Sequence, residues 1–84
     1  VSYGGVSGGL RAVEHLRAVF AELRATTIRE TVSLHRSKEL FDADGTLKDP
    51  SGPERAARLM LDELLWWARA LRRARAALPY PRVA

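Results

Sequence analysis

Val1-Ser2-Tyr3-Gly4-Gly5-Val6-Ser7-Gly8-Gly9 opens the chain with a β-type start that runs into glycines and then directly into a helical pattern. Backbone N–H groups and a helix N-terminus are thereby presented at the end of a strand. In open α/β sheets, ligands sit at the carboxyl ends of strands. Glycine at such a place lets a flat ring or a phosphate approach the main chain, because no Cβ stands in the way. The spacing is neither G-x-G-x-x-G nor a Walker loop. Spacing alone therefore leaves two readings open, a ligand-holding turn or a flexible strand-to-helix connection.

Downstream of the glycines, Val13, Leu16, Phe20 and Leu23 recur at helical spacing with Ala12 and Val19 beside them, while Arg11, His15 and Glu22 fall opposite. A helix is expected over residues 7–25, with Ser7 as its N-cap. The period then changes to two: Ile28, Val32 and Leu34 alternate with Thr27, Arg29, Thr31 and Ser33, and β-branched residues dominate. This predicts a strand over 26–35, interrupted on its apolar face by Glu30. Its backbone groups need a partner, and the expected partner is the stub Val1 to Tyr3 or the strand of a second copy.

Residues 36–52 carry turn chemistry in Asp42, Asp44, Gly45, Asp49, Pro50 and Gly52, and read as a loop. Ser51 stands three residues before Glu54, a capping-box spacing, and starts a long helix over 53–78. Met60, Leu64, Trp67, Leu71 and Leu78 form its main stripe, widened by Ala57, Leu61 and Ala68, and Pro79 and Pro81 end it. Trp66 and Leu59 lie well off that stripe, so a second packing surface is implied.

The totals bound what such a chain can be. Eighty-four residues make one small domain at most, and a domain of that size buries only about 60 to 65 per cent of its unfolded surface. Hydrophobic residues are 46% and charged residues 29% of the chain, a globular composition. The absence of cysteine excludes disulfides, thiolate nucleophiles and cysteine-ligated metals, and suits the cytoplasm, where the chain is expected. No basic segment followed by an apolar run opens the sequence. The longest apolar run, Leu64 to Ala68, falls far short of the roughly 20 residues that span a bilayer.

A net charge of +4 raises the question of nucleic acid. The basic residues, almost all Arg, are interleaved with Glu and Asp along helical stretches, which reads as a solvated, ion-paired face. Arg69, Arg72 and Arg73 gather toward the C-terminal end of the long helix, where cations complement its dipole. Aligning Gly45 with the central glycine of an EF-hand puts Leu40 and Ser51 where ligands are required. His15 and His35 match no metal-site or general-base spacing, so no catalytic side chain and no metal are expected.

The opening segment from Ser2 to Ala12, followed by Leu16-Arg17, resembles the region after the fourth strand of NAD(P)H-dependent FMN reductases. Thr31-Val32-Ser33-Leu34-His35 resembles their fifth strand, Leu40 to Gly45 the loop beyond it, and the helix with Trp66-Trp67 the terminal helix. The resemblance implies an α/β fold, the C-terminal helix-strand-helix part of a flavodoxin-like three-layer domain. It would be mostly helical, with one or two short parallel strands: the end of strand four and the flavin loop over 1–6, helix 7–25, strand 26–35, loop 36–52 and helix 53–78, all within a single domain over 1–84.

The implied cofactors are FMN and NADPH. FMN would contact Tyr3, Gly4, Gly5, Val6 and Ser7, and the electrons would pass on to a flavin, a quinone or a similar acceptor. In such enzymes the cofactor carries the chemistry. The family's phosphate-binding loop and its mid-chain Asn- and Pro-containing segment have no counterpart in these 84 residues, so the chain by itself is expected to be inactive. Homo-oligomers are common in that family, and one is expected here. A rival reading from the exposed apolar faces is a small, basic self-association module, with phosphate or nucleic acid as its possible ligand class.

Overall fold

The computed structural model describes residues 1–79 and 81. Strand β1 (Ser2–Tyr3) leads to helix α1 (Leu10–Glu22), strand β2 (Ser33–Leu34), the short helix α2 (Ser37–Leu40) and the long helix α3 (Ser51–Ala77). The two strands pair in parallel, Ser2 against Ser33 and Tyr3 against Leu34, so β1-α1-β2 is a crossover unit with a helix as its connection. The fold is thus α/β and mostly helical, with a short two-stranded parallel sheet. The partner of the second strand is the stub at the start of the chain. Among the described residues no helix is long and apolar enough to cross a membrane.

The strand expected over 26–35 is reduced to Ser33–Leu34. The physical reason is that side chains take the hydrogen bonds that a neighbouring strand would have made. Arg17 on α1 donates to the carbonyls of Ile28 (3.4 Å) and Arg29 (3.1 Å), and the Glu63 carboxylate on α3 accepts from the Glu30 amide (2.8 Å). Regular pairing begins where those contacts stop: the Ser2 amide donates to the Val32 carbonyl (2.9 Å) and the Gly4 amide to that of Leu34 (3.3 Å). Val32 is the buried apolar residue here, only 6% exposed.

Helix boundaries also differ from the sequence reading. Helix α1 is capped by Gly9 rather than Ser7, with Gly8 and Gly9 both left-handed at φ 61° and 81°. It closes earlier than residue 25, because Arg24 adopts φ 62° and the chain turns back. The Ala25 amide reaches the Phe20 carbonyl (2.9 Å) and the Arg24 amide that of Ala21 (3.0 Å), the bond pattern of a Schellman ending. Residues 36–52 are more ordered than a loop. They contain α2, and then a tight reversal in which Phe41 bridges Leu47, the Asp42 amide donates to Thr46 (2.7 Å) and Gly45 turns at φ 85°. At the start of α3 the capping box is replaced: the Asp49 carboxylate accepts from both the amide (3.1 Å) and the hydroxyl (2.7 Å) of Ser51, and the helix begins at Ser51 with Pro50 in front of it.

Packing is open. The Cα radius of gyration is 16.6 Å, where about 12 Å suits a compact chain of this length. The accessible surface is 7327 Å², about 2,300 Å² above the roughly 5,000 Å² expected for a compact monomer of this mass. An apolar cleft of about 460 Å³ runs between α1, the segment 25–31 and α3, with Leu16, Phe20, Met60 and Leu64 on its walls.

Substitution and acid each test one of these local devices. A Cβ on Gly9 would lie 2.8 Å from the Tyr3 carbonyl oxygen at a left-handed backbone, whereas one on Gly5 would meet nothing within 4 Å. Gly9→Ala is expected to cost about 1–3 kcal/mol and Gly5→Ala less than about 0.5 kcal/mol, read from thermal or urea unfolding.

Acid acts on the turn and on the start of α3. The Thr46 amide holds the Asp44 carboxyl below its ordinary 3.8, and the Ser51 hydroxyl does the same for Asp49. A lowered pKa favours the ionised form in the fold, so the contribution is whole above 3.8 and is lost as pH falls through the lowered value. Helical circular dichroism of the chain should therefore hold from about pH 7 to about pH 5 and lose a small part below about pH 4, with a smaller acid step in Asp49→Ala, whose acceptor is already gone.

Candidate functional site

Where both parallel strands end, the chain leaves in two segments that lie side by side. After β1 come Gly4, Gly5 and Val6; after β2 come Arg36, Ser37, Lys38 and Glu39. Together they line a concavity of about 350 Å³, at the carboxyl edge of the sheet where open α/β folds hold ligands.

Backbone hydrogen bonds stitch the two segments together. The Arg36 amide donates to the Gly5 carbonyl, and the Ser37 amide to the Gly4 carbonyl at 3.1 Å. The ring Nδ1 of His35 lies 2.9 Å from the Val6 carbonyl, to which it donates, since a carbonyl can only accept. Ser2 Oγ donates to the Gly8 carbonyl at 2.8 Å, and Gly8 lies so close to the end of β2 that a Cβ there would be 3.1 Å from the His35 nitrogen. A Cβ on Gly4 would be 3.0 Å from the Gly9 nitrogen. The glycines are thus needed for backbone-to-backbone seating of the turn against the strand ends. Arg36 supports the same contact from the other side with φ 47°, a left-handed conformation that costs a non-glycine residue roughly 1–2 kcal/mol.

This stitching uses carbonyls and leaves amides over. Among the described residues, the N–H groups of Gly5, Val6 and Ser7 have no hydrogen-bond partner. Three successive donors beside two positions lacking a side chain can receive the polar edge of a flat ring or an anionic group. Arg36 and Lys38 add positive charge to the rim and Glu39 one negative charge.

Of the five residues singled out from sequence, Gly4, Gly5 and Val6 line the concavity. Tyr3, 75% exposed, faces an adjoining depression with Leu34, Ser37, Lys38 and Phe41. Ser7 serves the turn, its carbonyl accepting from the Leu10 amide at 3.2 Å, while its own amide stays free. Sequence reasoning missed Arg36 to Glu39. The signal was available: if β2 pairs in parallel with the stub, the residues after both strands must emerge at one edge.

Those residues fit part of FMN, the cofactor that the resemblance implies. Free amides and absent side chains suit one edge of the ring system. The described residues hold no second glycine-rich turn of the kind that cradles a phosphate.

No curated protein and no solved structure matches the chain. Residues 1–39 match the family of NADPH-dependent FMN reductases. The match runs through β1, α1 and β2 and stops at Glu39, so every residue that lines the concavity falls within it, while the tight reversal and α3 lie beyond it.

Proposed function

We propose that this chain is part of an FMN-dependent NADPH oxidoreductase and that the turn from Gly4 to Ser7, with Arg36 to Glu39 beside it, forms one wall of the flavin site. The observation that carries the reading is the row of unpartnered amides at Gly5, Val6 and Ser7 within the family-matched segment. The chemistry that FMN would supply when bound is acceptance of hydride from the nicotinamide and transfer of electrons to a flavin, a quinone or a similar acceptor. The chain's own residues bind and orient. The amides hold the ring edge by hydrogen bonds, Gly4 and Gly5 allow the ring to approach the main chain, and Tyr3 offers an aromatic face next to it. Arg36 and Lys38 favour negative charge at the rim. No side-chain acid or base is required, because proton and hydride chemistry reside in the cofactors.

One wall gives weak binding, and the expected readout is local. Titration of the 84-residue chain with FMN, followed by backbone amide NMR, should shift Gly4 to Ser7 and Arg36 to Glu39 while leaving α3 unmoved. Gly5→Val, at a position where an added Cβ meets nothing within 4 Å, should abolish those shifts. Shifts confined to other regions, or a Gly5→Val variant that responds like the parent, would contradict the reading.

A further inference from the structure

His35 stands beside the concavity without lining it, and its ring bonds one peptide of the turn. The carbonyls of the turn are taken in sequence by the segment that leaves β2: Gly4 by the Ser37 amide at 3.1 Å, Gly5 by the Arg36 amide, and Val6 by the His35 ring Nδ1 at 2.9 Å. The two stretches run antiparallel, one residue against one. Two of the bonds are backbone to backbone, and the third uses a side chain. The His35 amide, which would continue the series, lies against Gly8, where an added Cβ would stand 3.1 Å from its nitrogen.

Among the described residues no peptide bond is cis, and a trans peptide unit is planar, with its C=O and N–H antiparallel. Bonding the carbonyl of Gly4, Gly5 or Val6 therefore also fixes the direction of the amide in the same unit, that of Gly5, Val6 or Ser7 respectively. The unpartnered donors are the other halves of the bonded units. The Gly5 carbonyl accepts from the Gly8 amide as well, at 3.4 Å, so two bonds hold the unit that joins Gly5 to Val6. Among the described residues, the unit that joins Val6 to Ser7 has one, the bond to His35. The Val6 side chain is 75% exposed, so packing adds little to hold it.

We propose that His35 is a positioning residue of the flavin site. Its Nδ1–H sets the plane of the peptide between Val6 and Ser7, and so holds the Ser7 amide in line with those of Gly5 and Val6 as the third donor to the polar edge of the ring. The identity of the ligand rests on the flavin reading, whereas the holding of the peptide rests on the bonds alone. Donors fixed in advance by a group that does not itself touch the ligand bind it without the cost of ordering them. An imidazole suits the task because its Nδ1 is bonded directly to Cγ, which makes the reach short and stiff.

Backbone amide NMR relaxation of the whole chain, without and with FMN, tests this on the parent, His35→Leu and His35→Asn. Asparagine carries an N–H donor on Cγ, where histidine carries Nδ1, and leucine carries a methyl group there. Without FMN, the Ser7 amide is expected at an order parameter of about 0.85 in the parent and in His35→Asn, and below about 0.6 in His35→Leu, with Arg36 and Ser37 rigid in all three. In the titration, His35→Leu should raise the FMN dissociation constant roughly threefold to tenfold, the loss of about one hydrogen bond, while His35→Asn stays within about twofold of the parent. A Ser7 amide already below about 0.6 in the parent would overturn the proposal, as would one equally ordered in all three chains or a His35→Asn variant that behaves like His35→Leu. FMN bound equally by all three overturns the positioning role and spares the flavin reading; a parent that does not respond to FMN overturns the flavin reading, and the order of Ser7 still decides the role of His35. His35→Ala takes the place of His35→Leu if circular dichroism shows the latter unfolded.

Discussion

Two glycines pressed against the ends of two strands hold the arrangement together. Gly8 abuts the backbone of Leu34 and His35, and Gly9 abuts the Tyr3 carbonyl. Each takes a left-handed backbone that other residues adopt only at a cost. With that seating in place, the Ser2 hydroxyl, the His35 ring and the amides of Arg36 and Ser37 all find carbonyl acceptors within the turn. These bonds are made through carbonyls of the turn, and the amides of Gly5, Val6 and Ser7 have no hydrogen-bond partner among the described residues. The donor row is therefore a consequence of how the turn is anchored.

Away from this anchor the molecule is loosely filled. A two-residue parallel pair is short, and parallel sheets are usually covered on both faces. Here the helices carry apolar residues that remain exposed, among them Leu16, Phe20, Leu64 and Trp66. Side chains bridge where packing does not. Arg17 and Glu63 tie the segment before β2 to α1 and α3 through its backbone groups. These bridges position β2 while preventing the segment from becoming a longer strand.

Much of this is legible in the residues, and the departures have identifiable causes. The order strand end, helix, strand, loop, helix comes from period changes at Gly9 and Thr26 and from the turn chemistry after His35. The early end of α1 is hidden because Arg24, not a glycine, takes the left-handed position. The strand is shorter than its pattern because period-two patterning records alternation, not hydrogen-bond partners, and Arg17 and Glu63 are distant in sequence from the carbonyls and amide they satisfy. Helix α3 starts ahead of its expected first residue because Asp49, rather than Glu54, supplies the acceptor at its opening turn. At the site, the glycine-rich half is visible as composition. The half from Arg36 to Glu39 requires knowing that the two strands run parallel and end together.

Amide hydrogen exchange on the 84-residue chain distinguishes a turn anchored through its carbonyls, with its amides unpartnered, from one anchored the other way. Protection is expected at Gly4, Gly8, Arg36 and Ser37, whose amides are bonded, and exchange at close to free-peptide rates at Gly5, Val6 and Ser7. Protection across Gly5 to Ser7, or rapid exchange at Arg36 and Ser37, would refute the row of unpartnered donors on which the site rests.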